Sequence, residues 1–467
     1  MPNKPGRKTS PLRLNEMVDS LRQEMMSGKL PADNFLPSEA DLARRFHLSN
    51  NTVRKGLDVL VDEGLIEKIP KVGNRVIDPA TGSSVVVRFV YYNSIAKEAD
   101  IHILLEQFHR RYPHIQVQAL QLPPGNVYNV FKQYIDANIV DLFTVNDVNF
   151  QALAELDLTE MLDPLDDDSQ TYPFLLDSYF VNGEQLVRPF TFSPVILCYN
   201  RDHFEQARLP EPDSSWSWDD LFHAAKQLSI PQERYGIFYD VQASNRWPIF
   251  MIQSDFVFDR ERPDELRNLI RTKLADGLDI PAKLLKLEHV FPLSISDAEA
   301  GELFAQGKIS ILLTTYYKLN ELRQADVAYE IAPIPTFHKQ RTLMLSIGLA
   351  VNRKSKVKGA AKILADYLTS YEAQLIIRQR TLSIPANKLA AEWKGEESIY
   401  RPSRFSMYRE IIPTFRTIGE LGLKTNELLE VLKAARLYWS GLSDKETMCR
   451  NIAQTLMLDE SPSKNQA

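Results

Sequence analysis

The sequence predicts an α/β protein in two parts: three short helices with a β-ribbon, followed by a much larger stretch in which strands and helices alternate. Three observations lead there. Before residue 64, apolar residues recur three times at helical spacing, with turn or cap signals between the runs. From Val85 onward, apolar runs of strand length alternate with helix-periodic runs, the mark of a doubly wound sheet. Finally, 467 residues exceed what one ordinary core encloses.

Composition narrows the class further. Apolar residues make up 44% and charged residues 25%, near globular averages, which excludes a disordered, collagenous or coiled-coil chain. The formal net charge is −6, yet residues 1–78 carry 13 Lys+Arg against 11 Asp+Glu, a balance of +2 that leaves −8 for the rest. A polyanion site therefore belongs near the N-terminus. The basic, Pro-containing start, Met1 to Leu14, has no apolar segment behind it, so a secretory signal is not expected. The longest uncharged apolar stretch, near Phe190 to Tyr199, falls short of the about 18 residues of a membrane span, and the expected location is the cytoplasm, without a membrane partner. Cys198 and Cys449 lack metal-ligand or disulfide spacing and are expected to be inert thiols.

In residues 1–78, Leu14, Met17, Val18, Leu21 and Met25 form one amphipathic face that Gly28 closes. Ser38, with Asp41 three residues on, caps a second helix over Glu39 to Phe46 with Leu42, Ala43 and Phe46 inward. After a break at His47 to Ser49, Ser49 caps a third helix, Asn50 to Glu63, with Val53, Leu57 and Leu60 inward and Gly64 as its stop. Two short helices joined by three residues, with small Ala43 at the crossing, make a helix-turn-helix. The outer face of the third helix then presents Asn50, Asn51, Thr52, Arg54 and Lys55, which suit base edges and phosphates of duplex DNA. Leu65 to Ile69 and Arg75 to Ile77 flank a turn and read as a β-wing.

LPSEADLARRF, LSNNTVRKGLDVLVDEGLIE and the wing KIPKVGNRV resemble the GntR family of winged-helix regulators. The resemblance implies operator DNA as partner and a DNA-binding set of Ser38, Arg44, Arg45, Ser49, Asn50, Asn51, Thr52, Arg54, Lys55, Lys71 and Gly73. Three positions depart from the family: Ala40 replaces the basic residue after the PSE triplet, Asn50 the Arg heading the recognition helix, and Lys71 the first wing glycine. The common family operator is therefore not expected, and base readout passes to Asn50 and Asn51. Because one winged helix per chain, with a balance of only +2, binds weakly, a homodimer on a two-fold operator is expected.

A polar linker at residues 79–84 separates this unit from residues 85–467. There, strands at Val85 to Tyr92, Ile115 to Leu120 and Val140 to Thr144 alternate with helices at Asp100 to Tyr112, with Ile103, Leu104 and Phe108 inward, and at Val127 to Ala137. RFVYYN, LLEQFHRRYPHIQV, VDLFTVND, LTEMLDPLDDD, LVRPFTFSPVILCYNRDHFEQARLPEP with SWSWDDL, ELFAQGKISILLTTYY, YEIAPIPTF and LSIGLAVNRKSKVKGAAKILADYLTS occur in an order similar to family 1 of the extracellular solute-binding proteins of ABC importers, of the maltose-binding type. That resemblance implies a two-lobed periplasmic-binding-protein-like domain, a carbohydrate ligand in the cleft, and closure by hinge bending.

Candidate ligand residues are Tyr91, Tyr92 and Asn93 at the first strand end, Asp147 after another strand, Trp247 in SNRWPIF, and Tyr316 and Tyr317 after an apolar run. Each has a second reading: Tyr91 or Tyr92 alternating into a core, Trp247 packing beneath its loop, Asp147 capping the helix near Asn149. Trp218, at a helix start, reads as structural.

The sequence offers no catalytic, metal or cofactor site. GELFAQGK, Gly301 to Lys308, lacks the spacing and hydroxyl residue of a phosphate loop. His102, Glu106 and His109 share a helix face, which reads as solvated rather than metal-binding, and Asp166 to Asp168 reads as a solvated loop. The expected function is a ligand-responsive transcription regulator that senses a sugar and is not an enzyme. Two alternatives stay open: a GntR-type regulator with a pyridoxal-phosphate aminotransferase-like domain, though no Schiff-base lysine setting is found, and a C-terminal domain used only for assembly.

Overall fold

The computed structural model describes residues 10–458 apart from 27–28, 32, 63, 78–83, 123–126, 167, 293–294 and 397–398. Gly28, Glu63 and most of the linker, 79–83, thus lie outside the described residues.

The first helix, α1 (Ser10–Met26), is followed by α2 (Glu39–Phe46) and α3 (Asn50–Asp62). Ser38 caps α2, its Oγ accepting from Asp41 N at 3.2 Å, and His47 ends the helix in the left-handed region. Ser49 caps α3 by accepting from Thr52 N at 3.1 Å. Met17, Leu21, Leu42, Val53, Leu57 and Leu60 bury themselves in a small separate core. Gly56 is where α1 and α3 touch: a Cβ there would lie 2.3 Å from Met17 Cε and 2.8 Å from Leu14 Cδ1, so a larger residue would have to displace the ends of those two side chains.

The wing is β1 (Ile66–Ile69) paired antiparallel with β2 (Gly73–Val76), so the second strand begins two residues before the expected Arg75. Lys71, standing where the family has glycine, takes φ +64 in the turn, a conformation costing an L-residue about 1–2 kcal/mol. Phe35 bridges to Arg75 from outside the ribbon, a contact that periodicity did not announce.

The larger part is built on one mixed sheet. Parallel strands β3 (Val85–Tyr92), β4 (Ile115–Leu122) and β5 (Leu142–Asn146) form the first lobe with α4 (Ile95–Glu98), α5 (Ile101–Arg111), α6 (Val127–Asp136) and α7 (Asp147–Glu155). On α5 the buried residues are Ile101, Leu104, Leu105 and Phe108, whereas Ile103 is half-buried at the margin of that face.

A fully buried strand of 13 residues, β6 (Arg188–Asn200), then crosses to the second lobe. That lobe comprises α8 (Trp218–Leu228), β7 (Tyr235–Phe238), α9 (Pro248–Gln253), β8 (Ile309–Thr315), α10 (Tyr316–Leu319) and β9 (Tyr329–Ala332). A second long strand, β10 (Thr342–Asn352), returns, pairing with β6 and then with β5 of the first lobe. Because β6 joins β8 and β9 through its C-terminal half and β10 through its N-terminal half, these two strands are the bridge between lobes. Helix α11 (Lys358–Thr369) covers the bridge from the first-lobe side, and α12 (Thr425–Trp439) packs on α13 (Lys445–Leu458).

The winged helix lies against the first lobe. Helix α3 contacts α11, and a groove of about 1250 Å³ runs between Leu14, Val18 and Val59 on one side and Lys358, Lys362 and Ile363 on the other. No helix among the described residues is long and apolar enough to cross a membrane.

Candidate DNA-binding face and ligand cleft

On the winged helix, the head of α3 exposes Asn50, Asn51, Arg54 and Lys55, with Thr52 half-buried and hydrogen-bonded to Ser49 (2.8 Å between hydroxyl oxygens). Arg54 Nε donates to Glu39 Oε2 at 2.7 Å, a bond between α3 and α2 that uses one edge of the guanidinium. Arg44 pairs with Asp41 within α2 and stays exposed. Arg45 pairs with Glu24 on α1 and lies 4.8 Å over the Phe46 ring, tying α2 to α1, and remains exposed. Its charge sets Glu24 below the usual carboxylate range through their hydrogen bond. Ser38 is exposed but occupied as a cap, and Lys71 and Gly73 sit at the exposed wing turn. Of the expected residues, Arg44, Asn50, Asn51, Arg54, Lys55, Lys71 and Gly73 are exposed, and Arg45 also ties α2 to α1.

The ligand cleft opens at the C-terminal ends of the three first-lobe strands. It encloses about 1130 Å³ including its mouth. Tyr92, Asn93, Ser94, Glu98 and the turn Asn146 to Asn149 line the first-lobe wall; Ser244, Asn245 and Tyr317 face them from the second lobe; Leu345, Ser346 and Ile347 of the bridging β10 form the floor. Asn146, not Asp147, caps α7, accepting from Asn149 N at 2.8 Å. Tyr92 is held by its own hydroxyl oxygen, which accepts from Asn146 N at 3.1 Å and Asn149 Nδ2 at 2.7 Å. Thr191 donates to the Tyr317 hydroxyl at 3.4 Å, and Tyr179 and Ser346 share a hydrogen bond of 2.8 Å below the floor.

Burial dominates the electrostatics here. It pushes the Asp147 carboxyl up to about 7, against the backbone N–H groups of Ser346, Asp147 and Val148, which favour the anion. Burial likewise lifts Glu98 to about 7, with the Ser94 hydroxyl and Lys318 pulling it down and Glu321 pushing it up. The Tyr92 and Tyr317 phenols rise above their ordinary value for the same reason and stay protonated.

Of the ligand residues expected from sequence, Tyr92, Asn93, Asp147 and Tyr317 lie on the cleft wall. Three do not. Tyr91 is 2% exposed and stacks on Phe89, because strand alternation turns it away from Tyr92's side. Trp247 is 1% exposed beneath the loop whose Ser244 and Asn245 reach the cleft. Tyr316 is fully buried, its hydroxyl donating to Phe405 O at 2.9 Å. Sequence reasoning missed Glu98, Ser94, Asn146, Asn149, Ser244, Asn245 and Ser346. The signal for Asn146 and Asn149 was present in NDVNF, a strand-end Asn three residues before a second amide; nothing local marks Glu98 or Ser346.

The other side-chain groups weighed in the sequence resolve into structural roles. Trp218 donates its indole N–H to Gln253 at 2.7 Å. His109 is not merely solvated: its Nε2 accepts from Val117 N at 3.0 Å, tying α5 to β4, while Glu106 pairs with Arg110. Asp168 accepts from Gln170 N and the Thr171 hydroxyl in a turn. Among the described residues no three His, Cys, Asp or Glu side chains are grouped to hold a metal ion, and both cysteines are buried.

The family described as bacterial extracellular solute-binding protein matches residues 91–375, and the family of bacterial regulatory proteins, gntR family, matches residues 14–76. The chain is 31% identical over 123 residues to the histidine utilization repressor of Klebsiella aerogenes, covering 25% of this chain and 50% of that protein. The chain thus spans about half the length of the curated relatives it first matches, 50% and 53%. Among solved structures, it is similar to maltose-bound MalE3 of T. maritima, with a TM-score of 0.68 and 18% identity over 80% of this chain and 99% of that one. An ABC substrate-binding protein from Listeria monocytogenes, in complex with cycloalternan, has a TM-score of 0.67 at 18% identity, again over 80% and 99%. At such identities these two show the fold, which is that of a solute-binding protein over the residues where an aminotransferase-like fold was the alternative. The chain therefore belongs to the bacterial extracellular solute-binding protein family and carries at its N-terminus a DNA-binding regulatory domain of the gntR family.

Proposed function

We propose that this chain is a ligand-responsive transcription regulator in which the winged helix binds operator DNA as a homodimer and the two-lobed domain senses a small carbohydrate in the cytoplasm. One observation carries the reading: a single chain joins an exposed recognition face, Asn50 to Lys55, to a cleft between two lobes bridged by β6 and β10. The cleft's amides, carboxylates and hydroxyls are the groups that bond sugar hydroxyls. Since the winged helix rests on the first lobe along α3 and α11, closure of the second lobe reorients it relative to both. In a dimer this changes the spacing of two recognition helices, and therefore operator affinity.

The test is operator binding by the full chain with and without a saccharide shown by calorimetry to bind. The reading requires the saccharide to change operator affinity and the operator to change saccharide affinity by the same factor. Saturating, bound saccharide that leaves operator affinity and DNA geometry unchanged refutes it and favours a domain that serves assembly alone.

A further inference from the structure

Every charged side chain on the described wall of the cleft is a carboxylate. Glu98 and Asp147 line it beside amides, hydroxyls and apolar groups, with no Lys, Arg or His among the described lining residues. Both carboxylates come from the first lobe, at α4 and at the start of α7, and both act on the same phenol, Tyr317, from the second lobe. They therefore converge on one region of the cleft. Lys318, whose charge reaches Glu98, pairs with Glu321 at 2.9 Å on the wall of a neighbouring pocket. Asp147 Oδ2 is buried and has no hydrogen-bond partner. Backbone N–H groups of Ser346, Asp147 and Val148 favour the Asp147 anion, so the lack falls on that one oxygen, and a buried oxygen without a partner is costly.

Resting on the carbohydrate-sensing reading above, we infer that the cleft takes a cationic saccharide, one whose protonated primary amine sits against Asp147 and Glu98. An ammonium supplies three donors and the missing charge together. A neutral sugar supplies donors but leaves the charge uncompensated, and a sugar phosphate adds a third anion to a wall that holds no cation among its described residues.

The geometry has a pH signature. In the empty cleft burial holds both carboxyls near neutrality, with Ser94, Lys318 and Glu321 facing Glu98, and Tyr92, Tyr179, Tyr317 and the Ser346 backbone facing Asp147. An ammonium favours the carboxylate forms, so binding releases protons and weakens as pH falls, by up to about tenfold per pH unit for each carboxyl below its free-protein value.

Calorimetry on the full chain separates the charge classes, with glucosamine and its β-1,4-linked dimer as cationic probes, their N-acetylated counterparts as neutral probes, and glucosamine 6-phosphate as the phosphorylated probe. The expected result is affinity for the amines at least tenfold above that for the acetylated forms at pH 7.5, declining toward pH 6. Asp147→Asn and Glu98→Gln should each reduce the amine preference at least tenfold. The pH series on the unmodified protein is independent of whether either variant folds. Equal or tighter binding of the neutral or phosphorylated probes overturns this inference and leaves carbohydrate sensing standing, as does amine affinity that does not change with pH. Failure of every saccharide in the series to bind overturns both.

Discussion

Replacing Arg54 with alanine separates DNA recognition from folding. The side chain is 62% exposed and its partner Glu39 34%, so their 2.7 Å bond is a surface ion pair contributing about 0–1 kcal/mol to stability. Nε faces Glu39, which leaves the terminal nitrogens of the guanidinium as donors toward a guanine edge. If they are used so, the variant loses about 1–3 kcal/mol on the correct site, roughly five- to 150-fold in Kd. On non-specific DNA the loss is much smaller. Lys55→Ala should behave differently, lowering affinity on every sequence and reducing the salt slope by about 0.9. The assay is fluorescence anisotropy of the full chain on a duplex selected by the protein from random sequences, at fixed salt, with circular dichroism to verify folding. Binding of the selected duplex by folded Arg54→Ala within twofold of the unmodified protein would refute the placement of Arg54 at a base.

Further outcomes follow from packing and charge. Gly56→Val must push aside the ends of the Met17 and Leu14 side chains and should cost about 1–3 kcal/mol, loosening α1 against α3; an unchanged melting temperature of the winged helix would contradict this. Trp247→Ala should destabilise the large domain by about 3–5 kcal/mol as a core deletion, whereas Tyr316→Phe, which removes only the bond to Phe405, should leave ligand affinity unchanged by calorimetry. Asp141, fully buried, is pushed up by burial but held below the usual range overall by Arg88 and Ser355. Its stabilisation is present above the unfolded carboxylate value and lost as pH falls through the lower folded one, so Asp141→Ala should cost about 3–5 kcal/mol at pH 7 and progressively less below about pH 4, measured by denaturant unfolding. Asp147 has the opposite sign: with a folded value near 7, its ionisation penalises the empty protein increasingly as pH rises from about 4 to 7. Asp147→Asn should thus stabilise the ligand-free chain more at pH 8 than at pH 5, by about 3 kcal/mol, and a pH-independent difference in melting would exclude this.

The sequence was most legible where structure is local. Ser38, Ser49 and the apolar spacing of Leu42, Val53, Leu57 and Leu60 define caps and inward faces within a few residues of themselves, and the helices of the winged unit run where they imply. The β3 strand has its expected bounds for the same reason, while β4 runs two residues further and β5 both starts and ends two residues later than expected, where the sheet pairs with them. Order of motifs, rather than any single one, carried the two-lobed fold.

The site was less legible, since a cleft is a relation between segments far apart in the chain. Tyr91 and Tyr92 are adjacent and chemically alike, and only the pleat of β3 and the position of Asn149 send one to the core and the other to the cleft. Trp247 and Tyr316 had the right chemistry at the right loops, but large aromatic rings gain most by full burial and were drawn beneath the surface that their smaller neighbours form. That Arg45 also pairs with Glu24 follows only from the packing of α1 on α2. Backbone caps and face periodicities are short-range consequences of residue type, so the sequence by itself determined the winged helix, the chain of α/β units and the polar strand ends. Tertiary structure alone decided which polar groups remain facing one another across the lobes, because desolvation and pairing depend on neighbours that only the folded bridge of β6 and β10 brings together.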